Sequence, residues 1–273
     1  MAAILNISIV TYNSNIDVLR QTIESLNVSC QQAEKNGLVG RYCLHILDNS
    51  ENTIFFNTLK EFIAGLKNNY TNINLTASQS NLGYGRAHNQ VIHNMPGDYH
   101  LVLNPDVIMD ENTISQSIIY LHRNSDVGLI APFVENEKGE INYLCKRYPS
   151  ILVLLLRGFF SSIKIPFFRK KIDHYEKRDK CNENKDVLIS SGCFMFFRTE
   201  QLQRLGGFSD KFFVYFEDFD LTYRFSAMSK IAYVPSVKII HHGGNAAGKG
   251  LKHIFLFSIS AIKFFNRFGW RLY

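Results

Sequence analysis

Four short apolar runs, Ile4–Val10, Tyr42–Leu47, Ile73–Thr76 and Tyr99–Leu103, alternate with segments of helical period at Val18–Leu26, Thr53–Leu66 and Gly85–Asn94. Apolar runs of this length between amphipathic helices predict parallel strands, because parallel neighbours need a crossover helix and the crossovers bury both sheet faces. The pattern therefore predicts an α/β fold with a mostly parallel central sheet flanked by helices. In such sheets ligands bind beyond the carboxyl ends of the strands. The residues there are Thr11-Tyr-Asn13, Asp48-Asn-Ser50, Asn81-Leu-Gly-Tyr-Gly-Arg86 and Asn104-Pro-Asp106, all polar or glycine-rich turns.

The second half predicts a strand at Val127–Ala131, a hairpin around Lys138-Gly139 and a strand at Gly192–Phe197. Helices follow at Thr199–Leu205 and Asp218–Ser229, short strands at Ile231–Val234 and Lys238–Ile240, and a last helix after Gly250. We divide the chain into residues 1–125, residues 126–248 and residues 249–273, the last a terminal amphipathic helix. With 273 residues and 46% hydrophobic content the chain can bury a full core. Its five cysteines form no C-x-x-C pair, so they read as reduced thiols of a cytosolic protein rather than a disulfide framework or zinc ribbon. The opening residues lack a basic n-region and read as a buried strand, not a signal peptide.

The net charge of +6 is concentrated: residues 146–180 hold ten Lys/Arg against three Asp/Glu, and from Leu221 onward there are eight Lys/Arg and no acid. An anionic membrane surface or nucleic acid would suit such regions. At ~100° per residue, Lys249, Lys252, His253, Ser260, Lys263, Arg267 and Arg271 form a stripe opposite Ile254, Phe257, Ala261, Phe264, Phe265 and Phe268. The stripe predicts a basic amphipathic helix that either lies on an anionic bilayer or packs on the domain or a second copy. The apolar stretch Ile151–Phe168 carries Arg157 and Lys164 and is too charged to span a membrane.

The chemistry is concentrated in Phe213-Val-Tyr-Phe-Glu-Asp-Phe-Asp-Leu-Thr-Tyr-Arg224, where Glu217, Asp218 and Asp220 stand among aromatics after Gly206-Gly207. Desolvation there would raise a carboxylate's pKa and suit it to general-base work, although acids in a helix's first turn and an Asp220/Arg224 pair at i,i+4 are also ordinary structure. Asp106 at a strand end, behind Pro105, suits a hard divalent cation that takes one or two carboxylates plus substrate phosphates. Asp48 can accept from a nucleobase imide or a ribose hydroxyl, and Asn81-x-Gly83-x-Gly85 allows close backbone approach. His241-His242-Gly243-Gly244 can set an imidazole near a metal or diphosphate. His88 replaces the third glycine of a dinucleotide fingerprint and no P-loop is present, which disfavours an oxidoreductase and a nucleotide hydrolase.

Ile9-Val-Thr-Tyr-Asn13, Leu47-Asp-Asn-Ser50, Asn81-Leu-Gly-Tyr-Gly85 with Asn89, Leu103-Asn-Pro-Asp106, Ser191-Gly-Cys-Phe-Met195, Gly206-Gly-Phe208, Phe213 to Arg224 and His241 together resemble the family 2 glycosyltransferases of GT-A fold, rhamnosyltransferase-like branch. The resemblance spans almost the whole chain. It implies an inverting transferase acting on a nucleotide-sugar donor, dTDP-rhamnose or alternatively a UDP-hexose, and on a lipid-linked or growing bacterial surface glycan. It implies Asp218 as base, Asp106 and His241 as ligands of Mg²⁺ or Mn²⁺, and Thr11, Asp48, Asn81, Gly83, Arg86 and Asn104 on the donor side. Glu217, Gly207 and Phe208 fall on the acceptor side. The implied partners exclude nucleic acid and include a peripheral contact with the inner face of the cell membrane and a homodimer. A catalytically silent nucleotide-sugar-binding protein is the rival from another class. Two departures stand out: Asn104-Pro-Asp106 replaces D-x-D, and Asn245 stands where the branch often has serine.

Overall fold

The computed structural model describes residues 2–66, 72–159, 166–178, 183–243 and 250–273. In chain order the elements are β1 Ala3–Thr11, α1 Ile16–Lys35, β2 Val39–Asp48, α2 Thr53–Leu66, β3 Ile73–Ala77, α3 Tyr84–Ile92, β4 Tyr99–Leu103, β5 Val107–Met109 and α4 Thr113–Arg123. There follow β6 Val127–Glu135, α5 Ile151–Phe159, α6 Pro166–Tyr175, β7 Lys185–Val187, β8 Phe194–Arg198, α7 Thr199–Leu205, α8 Glu217–Phe225, β9 Lys230–His241 and α9 Leu251–Phe268. One sheet runs in the order β3-β2-β1-β4-β8-β6-β9-β5, with β7 added on β9. Its first four strands are parallel, as the βα alternation requires. Beyond β4 the sheet is mixed: β8 is antiparallel to both β4 and β6, β9 is parallel to β6, and β5 and β7 are antiparallel to β9.

Strand alternation divides the core between the two faces. Leu101, Leu103, Phe194 and Phe196 meet α1, α2 and α4 through Leu19, Ile23, Ile63 and Ile118. Val102, Met195 and Phe197 face α3, α7 and α8 through Ile92, Leu202 and Phe225. Helix α1 begins where Asn15 accepts from Asp17 N and Val18 N, a side-chain cap that the apolar periodicity alone did not register. The sequence reading also lacked β5, β7, α4, α5 and α6, and it broke β9 at Pro235. The strand instead continues through an irregularity opposite Pro132/Phe133, where the missing proline donor is absorbed.

The terminal helix α9 packs inward. Phe264 and Phe265 are buried with Phe212, Phe216, Phe219 and Tyr148, and Phe257, Ala261 and Phe268 close over them. Four residues of the polar stripe also bond to the body: His253 Nδ1 lies 2.7 Å from the Tyr215 hydroxyl, Ser260 donates to Val214 O at 2.8 Å, Lys263 donates to Lys211 O at 3.0 Å and Arg267 pairs with Asp220 at 2.6 Å. Lys249, Asn245 and part of the stretch before Phe168 lie outside the described residues. Among the described residues no helix is long and apolar enough to cross a membrane.

Under α3 the sheet carries a buried polar line. Ser8 Oγ lies 2.7 Å from His88 Nδ1 and 2.9 Å from His100 Nε2, so its hydroxyl donates to one ring and accepts from the other. His45 is paired in register with Ser8 on the neighbouring strand. Burial holds His88 well below the usual imidazole value, brings His100 down to about 3 with His45 adding to the shift, and lowers His45 itself. In the unfolded chain each ring takes up a proton near pH ~6.5, whereas the folded rings resist it. The unfolded state therefore binds more protons in that window, so stability is full above pH ~6.5 and is lost as pH falls. His88 and His100 together should remove about 2 kcal/mol between pH ~6.5 and ~5.5. Urea unfolding across that range measures it, and His100→Gln should flatten the slope by about half. An unchanged slope would assign the proton uptake to other groups.

Candidate active site

The parallel register brings Thr11 and Asp48 side by side at the ends of β1 and β2. Both are buried, and Thr11 Oγ1 donates to Asp48 Oδ1 at 3.3 Å. Ser50 donates to the same carboxylate through Oγ (2.9 Å) and N (3.2 Å), which fixes its orientation in the cleft floor. The turn before α3 is built from amides: Asn49 Nδ2 donates to Asn81 Oδ1 (2.8 Å), and Asn81 Oδ1 also accepts from Gly83 N (2.9 Å). Gly83 has φ +78°, and a Cβ there would stand 2.3 Å from Phe213 O. The glycine is thus required both by its backbone and by contact with the loop before Glu217. Arg86 is turned away from this floor and pairs with Asp210, 2.7 Å from its carbonyl.

Asp106 and His241 meet because β5 pairs with β9 in a register that sets Val107 opposite His241. His241 Nε2 lies 3.3 Å from Asp106 Oδ1, and that oxygen is buried without a hydrogen-bond partner. Burial pushes the Asp106 carboxyl up, but His241 and His242 more than offset it and hold it below the usual carboxylate value. Two adjacent ligands of an octahedral cation at ~2.0–2.1 Å stand about 3 Å apart, so an orphaned oxygen and a ring nitrogen at this separation fit one divalent ion. Among the described residues no group of three His, Cys, Asp or Glu forms a closed metal cage. An open site of this kind leaves room for phosphate ligands. His242 is directed to Glu137, while a Cβ on Gly243 would collide with Asp106 Oδ2 at 2.2 Å.

Glu217 and Asp218 open α8, where the helix dipole favours carboxylates. Tyr215 and Phe216 before them both adopt left-handed backbone, φ 63° and 62°, a conformation costing bulky residues about 1–3 kcal/mol each. Phe216 is held there by its burial among Phe212, Phe219, Phe257 and Phe264. Asp218 Oδ2 accepts from Gly192 N at 3.0 Å and Oδ1 from Phe219 N at 2.9 Å. Glu217 Oε2 is buried with no partner. Burial raises both carboxyls, Glu217 to about 8 with Asp218's charge adding to the shift. For Asp218, Lys146 and the backbone donors act in the opposite direction. The environments push the pair apart and leave Asp218 as the group that ionises first.

The two halves are joined through Tyr84, whose hydroxyl donates to Gly192 O at 2.7 Å and lies 3.0 Å from Asn104 Oδ1. Asn104 Nδ2 is 3.4 Å from His241 Nε2. Gly207, at φ +62°, and Phe208 are clamped by Asn89, which accepts from Phe208 N (2.9 Å) and donates to Phe208 O (2.8 Å). Phe208 packs in turn on Gly85, where a Cβ would come within 2.7 Å. The sequence assigns no role to Tyr84, although it lies in the Asn81–Gly85 motif, and none to Lys146. Tyr84 could have been found from its place between Gly83 and Gly85, but Lys146 in Cys145-Lys-Arg147 carries no local signal.

The architecture, a half-parallel and half-mixed sheet with its polar residues at the strand ends, is that of the GT-A fold. The chain belongs to glycosyl transferase family 2, whose profile matches residues 7–206. It is 27% identical over 195 residues to the N-acetylglucosaminyl-diphospho-decaprenol L-rhamnosyltransferase of Mycobacterium tuberculosis, covering 66% of this chain and 62% of that protein. It is 29% identical over 147 residues to rhamnosyltransferase WbbL of Escherichia coli K12, covering 53% of this chain and 52% of that one. The chain therefore spans little more than half the length of these relatives. Among solved structures, the mannosyltransferase PcManGT of Pyrobaculum calidifontis with GDP-Man and Mn²⁺ superposes at TM-score 0.61 with 14% identity, over 96% of this chain and 65% of that one. TarS of S. aureus, residues 1–349 with UDP-GlcNAc, superposes at 0.59 with 14% identity, over 97% and 67%.

Proposed function

We propose that this chain is an inverting glycosyltransferase that moves L-rhamnose from dTDP-rhamnose onto a saccharide linked through diphosphate to a lipid. The observation that carries the reading is the continuous contact path from Asp106 and His241 through Asn104 and Tyr84 to Gly192 and Asp218. It links the two residues proposed to hold a charge-neutralising cation to the proposed general base, the two functions that a single displacement needs. Asp218 removes the proton from the acceptor hydroxyl as its oxygen bonds to the anomeric carbon. The bond from that carbon to the diphosphate breaks on the opposite face, and the diphosphate leaves with the electron pair. A divalent cation held by Asp106 and His241, Mn²⁺ in the Pyrobaculum relative, would neutralise charge gathering on the diphosphate. Thr11, Asp48 and the Asn81 turn hold the nucleotide, and Glu217, Gly207 and Phe208 border the acceptor.

The sugar and acceptor are inferred from the names of the mycobacterial and Escherichia relatives. A peripheral membrane contact is consistent with α9, whose outer face leaves Phe255 and Ile262 exposed beside Lys263. A panel of dTDP- and UDP-sugars assayed with short-chain polyprenyl-diphosphate N-acetylglucosamine tests the reading, with dTDP-rhamnose expected to be the donor. Preference for a UDP-hexose would replace the sugar but keep the chemistry. Binding of a nucleotide sugar with no transfer to any acceptor would leave a binding protein instead. Asp106→Ala is expected to weaken nucleotide diphosphate binding at least ~10-fold with Mn²⁺ or Mg²⁺ present and to change it little in EDTA, because its contact runs through the cation. Titration calorimetry in both conditions measures the contrast, and equal losses would make Asp106 a structural turn residue.

A further inference from the structure

Lys146 is a buried lysine far from the recognised motifs in sequence and next to them in space. It is only 8% exposed. Its backbone exchanges hydrogen bonds with Ile189, accepting from Ile189 N at 3.2 Å and donating to Ile189 O at 2.8 Å. That bridge leads directly into Ser190-Ser191-Gly192, whose last N–H holds Asp218 Oδ2. The Lys146 ammonium stands 5.0 Å over the ring of Phe219, the residue after Asp218. Among the described residues the ammonium has no hydrogen-bond or ion-pair partner, although a buried charge is ordinarily paired. The nearby acid Glu176 is already paired with Arg157 at 2.9 Å and with Arg178, whereas Asp218 has no arginine partner and feels the ammonium directly.

We infer that Lys146 is a positioning residue that assigns the negative charge of this pair to Asp218, which keeps the base ionised in a pocket too dry to do so alone. This rests on Asp218 being the base, and it adds the group that makes that assignment possible. The neighbours facing the carboxylates from other elements cannot substitute: Tyr84, Tyr175 and Cys193 are buried neutral groups, their acidities suppressed by burial and by the acids beside them. Arg157 faces Glu176. Removing the lysine therefore leaves Asp218 with its backbone N–H donors and the helix N-terminus against the cost of burial.

The test is carboxyl ¹³C titration of Asp-labelled protein, with the Asp218 resonance assigned by its loss in Asp218→Asn. In Lys146→Gln the midpoint of that resonance should rise by about one to two pH units relative to wild type, the usual effect of an opposite charge, and Lys146→Arg should restore it. Lys146→Met serves as a second neutral variant where the glutamine substitution unfolds the domain. With dTDP-rhamnose and the polyprenyl-diphosphate acceptor, the acid limb of kcat should move upward by the same amount, closing to a few-fold deficit at high pH. An unmoved Asp218 titration in both neutral variants overturns the inference. A moved titration alongside an active Asp218→Asn would instead overturn the base assignment and leave the electrostatic role of Lys146 intact.

Discussion

Asp218→Asn should abolish transfer while leaving the fold and donor binding nearly as they are. Asn preserves the size of the side chain and can still accept from Gly192 N or Phe219 N through its one carbonyl oxygen. It cannot take a proton, so the acceptor hydroxyl loses its positioned base. General-base contributions of ~10²–10⁴-fold set the expected loss in kcat, with nucleotide affinity within a few fold of wild type. Thermal stability should change little, because relief of the charge beside Glu217 is offset by loss of the charge facing the buried Lys146. The pH dependence has a definite sign. Burial raises the Asp218 carboxyl, so wild-type activity depends on its deprotonation and falls as pH drops through that raised value. Near-normal turnover of Asp218→Asn would move the base role to Glu217, whose unpartnered Oε2 is the alternative oxygen.

Much of this site could be read from the order of residues, for a physical reason. A parallel sheet forces its ligand site to the strand ends, so Thr11, Asp48 and Asp106 could be located once the strands were located. The glycines at Gly83 and Gly85 were readable as places of close approach and Gly207 as part of a turn, but not what approaches them. Phe213, Phe208 and Asn89 each approach from more than a hundred positions away. Lys146 was illegible because its meaning lies wholly in a tertiary bridge to Ile189. The terminal helix was half legible: periodicity gave an apolar face, yet it could not say whether lipid or protein would cover it, nor that Arg267 turns inward. The short elements β5 and β7 have only three residues each and carry no period to detect.

Asp220, the third acid of the motif, should behave oppositely to Asp218 when replaced. It is fully buried, with Oδ2 2.7 Å from Arg224 Nε and Oδ1 2.6 Å from Arg267 Nη1. Arg224 also donates to Gly207 O at 2.8 Å, so one carboxylate ties the catalytic helix α8, the Gly206-Gly207 turn and the terminal helix α9 together. Asp220→Ala leaves two guanidinium groups without their shared partner. Breaking a buried pair from one side typically costs 3–5 kcal/mol, and Arg267 at 31% exposure can recover part of its hydration, so the expected loss is about 3 kcal/mol. Asp220→Asn, which keeps the shape and one acceptor oxygen, should lose roughly half of that. Arg267→Ala in the Asp220→Ala background should add little, since the two share one interaction and their effects are non-additive. Denaturant unfolding of the four proteins measures these differences, and kcat measured where each is folded should stay within a few fold of wild type. If Asp220→Ala were stable but inactive, the carboxylate would belong to the chemistry, and the division of labour between Asp218 and Asp220 would have to be reversed.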